Sequence, residues 1–550
     1  MPNDVVKEVG TVEPIFGDHD PDWTHSKLKR AYEEIEKIAL DELGLDIYPV
    51  RIEIITSEQM LDEYSSVGLP LMYRHWSFGK RFAYHETLYR KGLQGLAYEI
   101  VINSNPCIAY LMEENTMTMQ TLVIAHAGMG HNNFFKNNYL FRQWTDAEGI
   151  LDYLKFAQDY VRMCEEKHGR AEVERVLDAA HALQAHGVDR YGRHHKLNLK
   201  EEKVRLEDRA ESLRMAYDAV LDADIFKKAP PAEPSAEAKK EQEQRENLRL
   251  PEENLLYFIE KRSPNLEDWQ RELVRIVRII SQYFYPQKQL QMMNEGCACF
   301  VHYRIMHRLW EKGLITEGNM LEFLHSHSSV VFQPGFDDPR FSGINPYALG
   351  FAMMQDIYGI CTGHAEVQFR HDGERLACLA EDREWFPSIA YQSDELPEDE
   401  ILQKAQKKKA LSVLRDAWAN YRDESFILQY LSPRVIRHFR MFALDDDSTK
   451  SAIKVEAIHD EPGYRRIRSA LSKQYDLSRR EPDIQVVDAK LLGNRMLTLE
   501  HVVHDGVLLE EKSCRSVLRY ATELWGYPVI LREVEATTGK ELQKYEAAVG

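Results

Sequence analysis

Thr116-Met-Thr-Met-Gln-Thr-Leu-Val-Ile-Ala-His126-Ala-Gly-Met-Gly-His131-Asn-Asn-Phe-Phe-Lys-Asn-Asn138 decides how the first half of this chain is read. Thr116 to His126 is apolar and free of breakers, which predicts a buried helix. Gly128 and Gly130 are placed to end or distort it. The histidines lie five residues apart, about 140° round a regular helix. They share a face only if the chain turns between them. A second stretch, Met293-Asn-Glu295-Gly-Cys-Ala-Cys-Phe-Val-His302-Tyr303, supplies a carboxylate and a third imidazole. Glu295 and His302 are about 20° apart on a helix but two turns, roughly 10 Å, apart along its axis. Histidine with glutamate is zinc-type ligand chemistry. The structural alternative is a core histidine beside a helix-terminal one, with Glu295 satisfied by Arg304 or a backbone group.

Outward from this segment, Tyr48–Thr56 and Leu96–Asn103 alternate and are rich in β-branched residues, so both read as strands. Asn105-Pro106 marks a turn. Helical periods cover 22–43, 146–167, 170–185, 198–222, 255–261 and 268–285. Tyr285-Pro286 interrupts the pattern before a long helix over 288–312. Further helices cover 318–326, 346–358 and 400–422. Residues 1–20 read as a flexible arm. Residues 227–251 are rich in Ala, Pro, Glu and Lys without apolar period, a disordered insertion. The last six pieces, from 452 to 534, run β-α-β-β-α-β, the ferredoxin-like order. The expected division is therefore an arm (1–20), a main domain (21–424) and a C-terminal domain (425–540).

Composition narrows the function classes. A 550-residue chain with 44% hydrophobic residues has material for more than one core. The net charge of −19 argues against a nucleic-acid groove built on bulk charge. The opening residues lack a basic and apolar leader, and no apolar run approaches 18 residues, so a cytoplasmic protein without a transmembrane segment is expected. Seven scattered cysteines suit reduced thiols. Phosphate-loop, dinucleotide, G-x-S-x-G and H-E-x-x-H motifs are absent.

Other polar residues are weaker candidates. Asn132, Lys136, Asn137 and Asn138 form a cluster that reads either as a substrate cleft or as helix caps. His181 and His186 repeat the five-residue spacing, and His181 faces the apolar side. Arg190 stands beside Asp189, and His75 beside Trp76. His325 and His327 read as a solvated helix end.

The strings His126…Gly130-His131-Asn-Asn-Phe-Phe-Lys-Asn-Asn138, Gly187-Val-Asp-Arg-Tyr191, Trp269-Gln-Arg-Glu…Tyr283-Phe-Tyr-Pro-Gln287, Met293-Asn-Glu-Gly296…His302-Tyr303 and Ile344-Asn-Pro-Tyr347 resemble the SpoVR family, named for stage V sporulation protein R, over nearly the whole chain. Cys297 stands where many relatives carry Trp. The resemblance implies a cytoplasmic bacterial protein tied to spore cortex and cell-envelope assembly or to stress and stationary phase. It further implies a PrkA-type serine kinase and a von Willebrand A-like protein as partners.

The fold class expected is α+β: a mainly helical N-terminal domain with a small zincin-like sheet, then a ferredoxin-like domain. Strand 96–103, a helix bearing His126 and a later helix bearing Asn-Glu-Gly are similar in order to zincin peptidases, an analogy at fold level. The leading expectation is a metal-dependent hydrolase of amide or peptide bonds, with a peptide or peptidoglycan-related substrate. Zinc is the expected divalent metal, held by His126, His131 and Glu295 with His181 as a further ligand. Glu295 and His302 are the candidate catalytic groups. Asn132, Lys136, Asn137, Asn138, Arg190 and His75 are the candidate substrate contacts. No general base is evident; Glu113 and Glu114 are the nearest substitutes. The alternatives are a non-enzymatic scaffold or regulator in the kinase system, and a phosphate- or glycan-binding protein.

Overall fold

The computed structural model describes residues 13–17, 22–65, 72–77, 80, 84, 99–190, 248, 250–363, 380–393, 399–445, 454–457, 461–491, 493–504 and 506–548. The helix read over 198–222 lies outside them, as does the 227–251 insertion apart from Leu248, Leu250 and Pro251. Chain contacts define two compact units, Met1–Lys155 with Pro286–Asp476, and Phe156–Tyr285 with Leu477–Gly550. Residues 425–476 thus pack within the first unit, and the division falls at 476/477 rather than at 424/425.

The first unit is mostly helical around a three-stranded sheet. Strands β1 (Val50–Ile55), β2 (Glu99–Ile102) and β3 (Cys107–Met112) lie in the order β1-β3-β2. β3 runs parallel to β1, with Val50 beside Cys107, and antiparallel to β2, with Glu99 opposite Leu111. The sequence reading missed β3. Its first five residues are all buried, so it shows none of the alternation that marks a half-exposed strand. β2 is the sheet's antiparallel edge, and it carries Glu99.

From β3 the chain enters the helix Met117–Val123, whose first turn is capped by the Thr116 hydroxyl accepting from the Met119 N–H. Every residue of this helix and of the π-helical turn Ile124–His131 that follows is buried. The turn packs on the central helix, Gln291–Glu311. That contact needs glycine: a Cβ at Gly130 would meet Ala298 Cα at 2.5 Å. The central helix is in turn crossed by the helix Pro346–Thr362, where a Cβ on Gly296 would lie 2.5 Å from the Gly350 carbonyl carbon. Its start is fixed by Asp423, whose two carboxylate oxygens accept from the Met292 and Met293 N–H groups at 2.9 Å each.

Three details differ from the sequence reading. The helix Asp268–Gln289 runs through Pro286, and the break comes at Leu290, whose backbone (φ −123°, ψ 17°) leaves the helical region. Within the expected arm, Ile15 and Phe16 are buried, and the Ile15 N–H donates to the Leu314 carbonyl at 2.8 Å. The C-terminal sheet is not ferredoxin-like. β5 (Lys454–Ala457) pairs with β4 (Ala443–Asp445) in a separate two-stranded sheet of the first unit. In the second unit β6 (Ile484–Ala489), β7 (Leu497–Val503), β8 (Val529–Glu535) and β9 (Glu541–Ala547) lie in sequential order. Only β7 and β8 are parallel, joined through the helix Glu511–Trp525. A run of elements names strands but not their partners, and a short polar strand such as β5 carries no signal for which sheet it joins.

The two glycine crossings make a direct prediction. Gly296→Ala and Gly130→Ala each force backbones apart and should destabilise the protein by about 1–3 kcal/mol. A urea midpoint equal to wild type in both variants would contradict this packing.

Candidate metal centre

The π-helical turn solves the spacing problem posed by His126 and His131. Its i→i+5 hydrogen bonds place a residue over the one five before it, where an α-helix would put them on different sides. The two rings meet edge to face with centroids 4.6 Å apart. The central helix brings Glu295 to them, and β2 brings Glu99. Glu295 Oε2 lies 3.5 Å from His131 Nε2 and 3.8 Å from His126 Nε2, and Glu99 Oε1 lies 3.6 Å from His126 Nε2. Ligand atoms around a tetrahedral ion at zinc bond lengths are separated by roughly 3.3–3.6 Å, close to these distances. Glu295 Oε2 is buried and has no hydrogen-bond partner. A buried carboxylate oxygen left so is costly unless something else satisfies it. The residues present therefore fit a divalent cation.

Neighbouring groups fix the orientation of these side chains. His131 Nδ1–H donates to Asn294 Oδ1 at 2.9 Å, which leaves its Nε2 lone pair toward Glu295. The Tyr347 hydroxyl stands near Glu295 and favours its charged form. Behind His126, its Nδ1 is 2.8 Å from His302 Nδ1, and His302 Nε2 is 2.8 Å from His327 Nδ1. Burial lowers the pKa of His131 to about 4 against the pull of Glu295, and that of His327 to about 3. Burial and the neighbouring rings hold His302 well below its ordinary value. His126 goes the other way: burial opposes its charge, but Glu295 and Glu99 together outweigh it and raise the pKa. Burial raises Glu99, offset in part by His126. For Glu295 the two histidines and Tyr347 overcome burial, and the pKa falls.

The structure thus brings together His126, His131 and Glu295, with His302 one ring removed. It does not add the others. His181 belongs to the second unit. Arg190, also there, is buried between Glu253 at 3.1 Å and Glu481 at 3.0 Å and joins segments of that unit. His75 is bonded through Nδ1 to the Ser77 hydroxyl at 2.7 Å and lies outside the group. The amide cluster bonds the chain's own backbone and Asp46. Asn132 clamps the Tyr48 backbone through both its N–H and its carbonyl, at 2.8 Å each. Lys136 bonds Asp46 and the Ile47 carbonyl, and Asn137 bonds the Asp46 carbonyl. Asn138 donates to the Trp418 and Tyr421 carbonyls. They tie the turn between the helix Met117–Val123 and its continuation to the loop before β1 and to the helix Glu400–Asn420.

A model described as "SpoVR like protein" matches residues 22–480, and one described as "SpoVR-like C-terminal domain" matches residues 482–536. The chain belongs to the SpoVR family. An uncharacterized protein, YcgB, of Escherichia coli (strain K12) is 52% identical over 513 residues, 93% of each chain. No solved structure matches. Every residue of the group lies within the SpoVR match.

Sequence reasoning missed Glu99, Tyr347 and the burial of His327. Glu99 is the single charge in Leu96–Asn103, so a carboxylate on an otherwise uncharged strand was the available signal. Tyr347 lies in the Ile-Asn-Pro-Tyr string quoted for the family. His327 is buried on a helix, Glu317–Val330, that continues past it.

The depressed histidines set a pH dependence. In the unfolded chain these rings take protons near pH 6.5, whereas folded His131 and His327 stay neutral to about 4 and 3. The unfolded state therefore binds more protons below pH 6.5, and stability falls as pH drops through that window. The urea midpoint should decline between pH 6.5 and 5; a flat profile would contradict buried neutral rings.

Proposed function

We propose that Glu99, His126, His131 and Glu295 form the active site of a metal-dependent hydrolase acting on amide or peptide bonds. The observation that carries this reading is the unpartnered Glu295 Oε2, aimed between two imidazole Nε2 atoms at 3.5 and 3.8 Å. His126, His131 and Glu295 are the ligands, a two-histidine, one-glutamate set found in catalytic zinc sites. A divalent cation held there would supply Lewis-acid activation of a water and of the carbonyl it attacks. Two carboxylates in a buried pocket also match its charge.

Glu99 is the general base that the sequence did not reveal. Its side chain is the most exposed of the four, at 20%, so it faces what enters the pocket. Burial raises its pKa, which suits a carboxylate that must accept a proton and later give it to a leaving amine. Asn294 and Tyr347 hold His131 and Glu295 in place. The order of edge strand and histidine-bearing helix is similar to that of zincin peptidases and supports the same reaction class by analogy.

Elemental analysis of untagged protein should find about one zinc per chain, lost in His126→Ala and His131→Ala. Glu99→Gln should keep the metal and slow cleavage of peptides and muropeptide stems, followed by mass spectrometry, by about 10²–10⁴-fold. Protein that holds no metal when purified in zinc-containing buffer would sink the proposal, as would Glu99→Gln cleaving at the wild-type rate.

A further inference from the structure

His302 does not face the pocket. It stands behind His126, and His327 stands behind it. Between His126 Nδ1 and His302 Nδ1, 2.8 Å apart, there is room for one proton, and the same holds between His302 Nε2 and His327 Nδ1. A neutral imidazole carries one N–H, so the three rings permit two arrangements. In the inward one, His327 donates to His302, His302 donates to His126, and the His126 proton sits on Nε2. That N–H would face Glu99 Oε1 at 3.6 Å and Glu295 Oε2 at 3.8 Å, both too far to accept it well. In the outward one, His126 Nδ1–H donates to His302 Nδ1 and His302 Nε2–H donates to His327 Nδ1. The nitrogens between rings are matched in either arrangement, but only in this one does His126 Nε2 keep its lone pair toward the pocket.

We propose that His302 and His327 are positioning residues whose one-way run of hydrogen bonds fixes the Nδ1–H form of His126 and so presents its Nε2 to the metal. This rests on the metal reading above. A ligand histidine ordinarily donates its second N–H to a carboxylate or carbonyl; here the acceptor is a buried imidazole, itself oriented by another. Cys299 lies with His126 and His302 inside a 4.8 Å group, which raises the question of a second ion there. The 2.8 Å between the two Nδ1 atoms is shorter than the roughly 3.3 Å of tetrahedral ligands. Burial also keeps the Cys299 thiol protonated. A hydrogen bond accounts for the contact and an ion does not.

The test uses the full chain labelled with ¹⁵N-histidine, with signals assigned by their loss in single variants. His302 and His327 should both show the Nε2–H tautomer, with and without zinc. In chelator competition, His302→Leu should bind zinc about 10- to 100-fold more weakly than wild type. His302→Gln, whose amide can accept from His126 and donate to His327, should recover most of that loss. An Nδ1–H tautomer at His302 overturns the proposal, as does wild-type zinc affinity in a folded His302→Leu. If His302→Leu fails to fold, His302→Gln and the spectra decide. If wild-type protein takes no zinc, the metal reading falls, while the metal-free spectra still uphold or overturn the direction of the run.

Discussion

The site depends on one departure from α-helical geometry. Over Ile124–His131 the backbone bonds i→i+5, and this alone turns two histidines five apart into neighbours. Such a turn is wider and less favourable than an α-helical one, so the surrounding packing must hold it. The hold comes from a backbone contact at Gly130 against Ala298 and from the amides that follow, Asn132 and Asn133, which grip the backbone of Asp46 and Tyr48. The clustered asparagines after His131 are therefore fasteners of the distorted helix.

The second constraint is electrostatic. Glu295 sits on a helix buried along most of its length, and no lysine or arginine pairs with it among the described residues. The groups that face it are His126 and His131, and the same His126 also faces Glu99. Two carboxylates gathered against imidazole rings concentrate negative charge, which in a low-dielectric interior is a strong attraction for a divalent cation. The close crossing of the Gly296 and Gly350 backbones brings the helix that carries Tyr347 up to the one that carries Glu295.

Much of this was legible in sequence where periodicity carries the signal. The strand at Val50–Ile55 follows from alternation and the helix at Met117–Val123 from an apolar run without breakers, and His126, His131 and Glu295 stand out by residue type. What was not legible depends on partners. β3 is buried on both faces and has no period. Glu99 arrives from a strand whose place beside the histidines is set by sheet order. Asn132, Lys136, Asn137 and Asn138 read as a polar cleft because sequence shows donors but not the carbonyls that take them. The ferredoxin-like reading failed for the same reason: the strands were there, but their pairing was not in the pattern.

His302 shows how far residue type alone can lead. A histidine two turns along a helix from a glutamate looks like a catalytic partner, and the helix geometry does put both on one side. The two turns of rise are what separate them: Glu295 reaches the Nε2 side of His126 and His302 reaches the Nδ1 side. One imidazole thus divides the helix face into a pocket and its support. The carboxylates gather on the first of these sides. On the other side His302 and His327 meet Phe323 and Phe351 edge to face, an apolar wall that keeps those rings neutral and able to hold a fixed direction of donation.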